Sequence, residues 1–311
     1  MEFSHIPVML EECMRYLDVH GDGIYVDCTA GGGGHSGEIL SRLSDNGRLI
    51  AFDKDQDAIN VCKQKFDGDN RVSLVKSDFK LAPQYLKDNG FCGNIDGILI
   101  DLGVSSWQLD NRQRGFSYMS VDSLLDMRMD REQTLTAKDI VNRYSQESIT
   151  KILRDYGEDK FAAKISANIV AERTKNPIET TGQLVEIIEK SIPTSCKKTG
   201  GHPAKRTFQA LRIAVNGELD NLDAAITDLV RCLKRGGRIA VLTFHSLEDR
   251  IVKQVFNYLN LDCVCDKSAP ICTCGKVREV ILPVKFIEAT EQEKSRNPRS
   301  ISAKLRVAQK I

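Results

Sequence analysis

Ile24-Tyr25-Val26-Asp27-Cys28-Thr29-Ala30-Gly31-Gly32-Gly33-Gly34-His35-Ser36-Gly37 begins as a short apolar run, breaks into glycines and then enters a helical pattern with Ile39, Leu40 and Leu43. A buried strand that ends in glycines and opens a helix is the first βα turn of a nucleotide-binding α/β domain. The glycines let the backbone approach a ligand closely, and the helix N-terminus offers N–H groups that lack partners inside the helix. Such a unit places an acidic residue about 20 positions further on, for ribose hydroxyls. The run Arg48-Leu49-Ile50-Ala51-Phe52-Asp53 supplies it.

Two ligands compete for this loop. Gly32-x-Gly34-x-x-Gly37 satisfies the dinucleotide fingerprint, a weak signal when it stands alone. The other frame, Asp27-x-Thr29-x-Gly31-x-Gly33, resembles the first motif of class I S-adenosylmethionine methyltransferases, with Thr29 where a glycine is more usual. A pyrophosphate disfavours a carboxylate at the turn, whereas an ammonium and a sulfonium welcome Asp27. S-adenosylmethionine is therefore the expected cofactor, and a nicotinamide enzyme the rival.

The 311 residues suggest two domains, or one with a large insertion. Lys+Arg 44 against Asp+Glu 43 gives no global field, so nucleic-acid affinity would have to come from local clusters. Neither a signal peptide nor a run long enough to span a bilayer is read, so the expected location is cytoplasmic, without a membrane. Of ten cysteines, six are scattered singly, where Cys usually acts as a small buried hydrophobe.

Outward from the loop, Val72-Ser73-Leu74-Val75 reads as a third strand and Ile95-Asp96-Gly97-Ile98-Leu99-Ile100-Asp101 as a fourth. Strands alternating with helices predict a parallel sheet with right-handed crossovers and a ligand at the carboxyl ends. Thr29 to Gly34, Asp53, Phe79 and Asp101 all fall at such ends. The strand pattern then stops, and from 136 to about 190 the text is helical, with a capping signal at Thr136-x-x-Asp139. A long helical stretch, Phe208 to about Arg235, returns the chain to the sheet, and Gly236-Gly237 ends it. Arg238 to Phe244 reads as the fifth strand, with Val280 to Phe286 and Ala303 to Val307 as closing strands. The expected fold class is α/β, a Rossmann-like class I methyltransferase sheet with an inserted all-helical domain. The expected boundaries are 1–112 with 208–311 for the methyltransferase domain, and 113–207 for a helical domain that recognises RNA.

Several blocks carry a more specific likeness. Asp101-Leu102-Gly103-Val104-Ser105-Ser106, Arg114-Gly115-Phe116-Ser117, Leu125-Asp126-Met127-Arg128-Met129-Asp130, His202-Pro203-Ala204-x-Arg206-Thr207-Phe208-Gln209-Ala210, Phe244-His245-Ser246-Leu247-Glu248-Asp249-Arg250 and Asn297-Pro298-Arg299-Ser300-x-Ser302-Ala303-Lys304-Leu305-Arg306 all resemble one family. It is the ribosomal RNA small subunit methyltransferase H family, bacterial cytosine-N4 methyltransferases, and the match covers nearly the whole chain. The resemblance implies methylation of a cytidine at the decoding centre of 16S rRNA, in the small subunit or a late assembly particle, and leaves a homodimer open. It implies that the donor is held by Gly33, Gly34, His35, Asp53, Phe79, Asp101 and Gln108, with Asp101 catalytic.

The residues fit that chemistry independently. The exocyclic amine of cytosine is a poor nucleophile because its lone pair is delocalised into the ring. Acceptors must hold its N–H groups and turn the lone pair toward the methyl. Asp101 stands at a strand end to orient the donor or to accept from the amine. Carbon-5 methylation would want a cysteine nucleophile, commonly after proline, and the sequence has no Pro-Cys pair. DNA amino methylases usually follow the acidic position with Pro-Pro-aromatic; here the text is Leu102-Gly103-Val104.

Four further features stay open between a functional and a plain reading. His245 is a helix cap or a site residue. Trp107 stacks on a base or packs at a core edge. Lys197, Lys198, His202, Lys205, Arg206 and Arg212 form a phosphate-binding run or a solvated surface. Cys263-x-Cys265 with Cys272-x-Cys274 is a zinc knuckle or four unpaired thiols; the usual spacing within a pair is two to four residues, so no metal ligand is assigned. A rival from another class is an RNA-binding assembly factor that keeps the fold without turnover.

Overall fold

The computed structural model describes residues 7–193, 201–266 and 271–311. In chain order the first elements are α1 (Leu10–Leu17), β1 (Ile24–Asp27), α2 (Gly34–Arg42), β2 (Arg48–Asp53), α3 (Gln56–Lys65), β3 (Val72–Lys76), α4 (Ala82–Asp88) and β4 (Ile95–Asp101). Helices follow: α5 (Ser106–Asp110), α6 (Ala137–Arg143), α7 (Gln146–Asp155), α8 (Ala162–Arg173), α9 (Thr181–Ser191) and α10 (Lys205–Asn216). The chain closes with α11 (Leu222–Cys232), β5 (Leu233–Thr243), α12 (Ser246–Leu259), β6 (Val280–Ile281), β7 (Ile287–Glu288), α13 (Glu291–Arg296) and β8 (Lys304–Lys310).

Two compact units result, one of residues up to Gly103 together with Asn221–Ile311, the other Val104–Asp220. The first holds the sheet, in the order β3-β2-β1-β4-β5-β8-β6, with β7 also pairing β8. β1 to β5 are parallel, and β8 runs antiparallel to β5, β6 and β7. β4 is buried at six successive positions, as a strand covered on both faces must be. Helix α1 buries Cys13, Met14 and Leu17 in the same core as Tyr25, Leu49, Leu99, Leu242 and Leu305.

The second unit has its own core. Ile149 and Leu153 of α7, Ile165 and Ile169 of α8, and Leu184, Ile187 and Ile188 of α9 are buried together with Phe116, Met127 and Phe208. The capping signal at Thr136 is present: Thr136 Oγ1 accepts from the Asp139 N–H and Asp139 accepts from the Thr136 N–H. Arg114 is 1% exposed and its guanidinium donates to the carbonyls of Arg128 and Met129, both at 2.9 Å. Two of the blocks that carried the family likeness therefore meet as one buried knot.

Four expectations need correction. The helical stretch expected from Phe208 to about Arg235 ends earlier, at Cys232, and is divided in two, because Gly217 adopts φ 55° and ends α10 in the left-handed conformation that glycine tolerates best. The fifth strand starts at Leu233, before Arg238; the pairing register shifts between Ile95 and Gly97, so Gly236-Gly237 sit in an irregularity within β5. The strand expected over Val280–Phe286 stops at Ile281, shortly before Pro283, which has no N–H to give a ladder. Among the scattered cysteines Cys13, Cys28 and Cys62 are buried free thiols, but Cys92 and Cys232 form a disulfide. The Gly93 N–H donates to the Cys232 carbonyl at 2.7 Å and sets the two segments side by side. Cys196 lies outside the described residues.

Candidate active site at the strand ends

Three carboxylates close the central strands: Asp27 on β1, Asp53 on β2 and Asp101 on β4. Asp27 is 1% exposed, and the turn itself occupies its oxygens. Ser36 Oγ donates to one at 2.6 Å and the Thr29 N–H to the other at 3.1 Å. Asp27 thus braces the glycine loop from beneath. Asp53 works likewise, accepting from the Gly31 N–H and the Asp55 N–H, both at 2.8 Å. Each oxygen keeps a second lone pair. Thr29, the departure from the usual glycine, has a structural reason. Its Oγ1 accepts from the Asp101 N–H at 2.7 Å and ties the ends of β1 and β4 together.

Asp101 keeps 26% of its side chain accessible, yet its Oδ1 is buried and has no hydrogen-bond partner. Desolvation first, then the charges of Asp27 and Glu248, push its carboxyl up to about 8. Desolvation likewise raises Asp53 to about 6 against its two backbone donors, and raises Asp27. His35, in the first turn of α2, lies 3.7 Å from Asp101 through Nδ1. Its Nε2 donates to the Val8 carbonyl at 3.1 Å, so the Nδ1 lone pair faces the carboxyl. Burial lowers the imidazole to about 4, which leaves His35 neutral at pH 7.

The glycines of the loop are set by their neighbours. Gly33 takes φ 70° as the residue before α2, and the first turn of α2 has no side-chain cap. A Cβ at Gly34 would stand 2.4 Å from Pro7 Cγ, so only glycine lets the N-terminal segment cross the loop there. Lys65 Nζ donates to the Gly33 carbonyl at 2.7 Å, which commits the nearby cation to the backbone.

Gly33, Gly34, His35, Asp53 and Asp101 are therefore brought together. Phe79 opens the short turn after β3, half-buried, in the same row of strand ends. Gln108 belongs to the other unit. It is buried as the third residue of α5, where its side chain accepts from the Ser105 N–H at 3.0 Å and closes a capping box. Trp107 precedes it, partly buried. His245 caps α12: Nε2 lies 2.9 Å from Glu248 Oε1, and Glu248 accepts from the Phe244 N–H at 2.9 Å. Of the basic run, Lys197 and Lys198 fall outside the described residues. Arg212 is paired with Glu218 at 2.9 and 2.8 Å and Arg206 donates to the Glu158 carbonyl, while Lys205 is exposed. Sequence reasoning assigned no role to Ser36, Lys65 or Glu248, although Ser36 lies in the opening stretch and Glu248 in the Phe244–Arg250 block, because only the fold shows their partners.

Mutually repelling buried carboxylates, an unpartnered oxygen on Asp101 and a lysine already committed make an anionic pyrophosphate a poor ligand. They suit a cation. With the strand order β3-β2-β1-β4-β5 and an antiparallel β8, this defines a class I S-adenosylmethionine-dependent methyltransferase. The chain belongs to the MraW methylase family, whose profile matches residues 2–311, and with it to the ribosomal RNA small subunit methyltransferases H. A ribosomal RNA small subunit methyltransferase H from Clostridioides difficile (strain 630) is 51% identical over 313 residues, spanning 100% of both chains. One from Caldicellulosiruptor saccharolyticus is 53% identical over 310 residues, 99% of this chain and 100% of its own. A solved Streptococcus mutans methyltransferase in complex with SAH aligns over 99% of this chain and 100% of its own, at 12% identity and a TM-score of 0.42. That last likeness is too remote to weigh.

Among the described residues no helix is long and apolar enough to cross a membrane.

Proposed function

We propose that this ribosomal RNA methyltransferase transfers a methyl group from S-adenosylmethionine to the exocyclic N4 amine of a cytidine in the decoding centre of 16S rRNA, in the cytoplasm. The observation that carries the reading is Asp101, a strand-end carboxyl with one buried oxygen that has no partner. That oxygen is suited to accept an N–H of the amine, which localises the nitrogen lone pair and aims it at the methyl. S-adenosylmethionine supplies an electrophilic methyl when bound. Gly33, Gly34, His35, Asp53, Phe79 and Gln108 are the residues proposed to hold it, Asp53 at the ribose and Phe79 against the base.

His35 acts here as a neutral positioning residue rather than a base. Its Nε2 hydrogen is held by Val8, and the methylated amine can lose its proton to water. The unit of residues 104–220 is proposed to contact the RNA, with Lys205 and Arg206 on phosphates. The target base must leave its stack to reach the strand ends. The RNA is presented by the small subunit or by a late assembly particle, and a homodimer is compatible with either.

Single-turnover methylation of small-subunit RNA by the wild type and by Asp101→Asn tests the assignment. The substitution keeps shape and removes charge, so turnover should fall far more than RNA affinity. Wild-type turnover in Asp101→Asn removes Asp101 from the chemistry. No turnover by the wild type on any particle would favour an assembly factor.

A further inference from the structure

Between α12 and β6 the chain makes an excursion, residues 260–279, in which no described residue is in a helix or strand. Its apolar side chains do not form a core. Val264 is 47% exposed, Ile271 74% and Val277 72%. What converges instead is sulfur. The four Sγ atoms of Cys263, Cys265, Cys272 and Cys274 all lie within 4.8 Å of one another. Cys263–Cys272 is 3.5 Å, Cys272–Cys274 3.6 Å, and Cys265–Cys272 and Cys274–Cys263 are both 3.9 Å.

Those separations decide between the possible states of the thiols. A disulfide requires about 2.05 Å between sulfurs. Four sulfurs bound at about 2.3 Å to a tetrahedral ion stand about 3.8 Å apart along each edge. The observed range brackets that edge. Tetrahedral sulfur selects zinc or iron, and a closed set of four protein ligands is the structural rather than the catalytic type.

The backbone is arranged for thiolates as well. Val264 N–H donates to Cys274 Sγ, Cys265 N–H to Cys263 Sγ and Thr273 N–H to Cys265 Sγ, each at 3.4 Å. Amide donors aimed at sulfur offset the excess negative charge of four thiolates around a divalent ion. Free thiols, weak acceptors, gain little from them. The single residue within each pair is tighter than the usual two to four, and the four sulfurs converge all the same. An excursion too small to bury its own apolar groups needs a staple, and the cysteines are placed to be one.

We propose that Cys263, Cys265, Cys272 and Cys274 bind one structural Zn²⁺, which ties residues 260–266 to residues 271–279. Binding exchanges thiol protons for the metal, one from each sulfur that enters as a thiol, with no change of oxidation state. The site is separate from the strand-end carboxylates and its ion takes no part in methyl transfer.

The test is elemental analysis of full-length protein, grown with adequate zinc and purified under reducing conditions without chelator. About one equivalent of zinc per chain is expected. Cys272→Ser should lower it at least several-fold while the far-ultraviolet circular dichroism stays that of the wild type. Cobalt added to stripped protein should give the strong visible absorption of a tetrahedral thiolate site, and Cys272→Ser should lose it. Folded wild-type protein without metal whose four thiols all react with a thiol reagent would overturn the proposal. So would two disulfides within the quartet, or iron in place of zinc.

Discussion

Asp101 is held up to about 8 by burial and by the charges of Asp27 and Glu248, and a bound sulfonium would work against all of these. At pH 7 the carboxyl is therefore largely protonated without the donor, and a sulfonium bound beside it as proposed would ionise it. Binding of S-adenosylmethionine should release close to one proton near neutral pH, read from calorimetry in buffers of different ionisation enthalpy. Asp101→Asn should abolish the release; an unchanged release would assign the proton elsewhere. The stability linkage has a definite sign. A carboxyl with a raised folded value contributes stability that is fully present below the ordinary carboxylate range. That contribution is lost as pH rises through about 8. Asp53 differs in that both its oxygens already hold the backbone. Asp53→Ala should weaken donor binding by roughly 1–3 kcal/mol, through the lost ribose acceptor and the freed Gly31 N–H. Donor titration checks it, and equal affinity would take Asp53 out of the site.

At the scale of elements, α12 begins with a reciprocal cap in which His245 faces a Glu248 that is 1% exposed. His245→Ala should cost about 1 kcal/mol, a drop in Tm of about 2–4 °C, with methylation retained below the transition. Lost methylation at full stability would make His245 a site residue instead. Helix α10 opens with Lys205 and Arg206, and replacing both by Ala should weaken RNA binding and reduce its salt slope by roughly one to two. Donor affinity should not change. An unaltered slope would mean a solvated surface, and the RNA path would then be sought along Lys294 to Arg306. How far these elements were legible depended on what each leaves in the text. β1, β2 and β4 show as apolar runs with an acidic end because both faces are buried. The glycine loop shows because close approach tolerates no Cβ, as at Gly34 beneath Pro7. The irregularity in β5 and the break at Gly217 were missed, since register and helix ends depend on partners that local periodicity does not name. Thr29 looked like a deviation in one dimension and is a cross-strand tie in three. The capping role of Gln108 was hidden because its likeness to family motifs pointed only to a ligand.

For the whole molecule, a net charge of +1 leaves little long-range attraction for RNA, so recognition must rest on local contacts in a chain of two compact units. The strand-end carboxylates are proposed to receive the cationic donor, and a polyanionic substrate would then have to be held away from them by basic side chains elsewhere. One product decides the activity. Small-subunit RNA from cells lacking this protein, complemented with the wild type or with Asp101→Asn, can be cut by nuclease and the fragments weighed. One decoding-centre cytidine should carry a methyl on N4 with the wild type, and none without the protein or with Asp101→Asn. The same methyl present in cells lacking the protein, or found on carbon 5 or on another base, would contradict it.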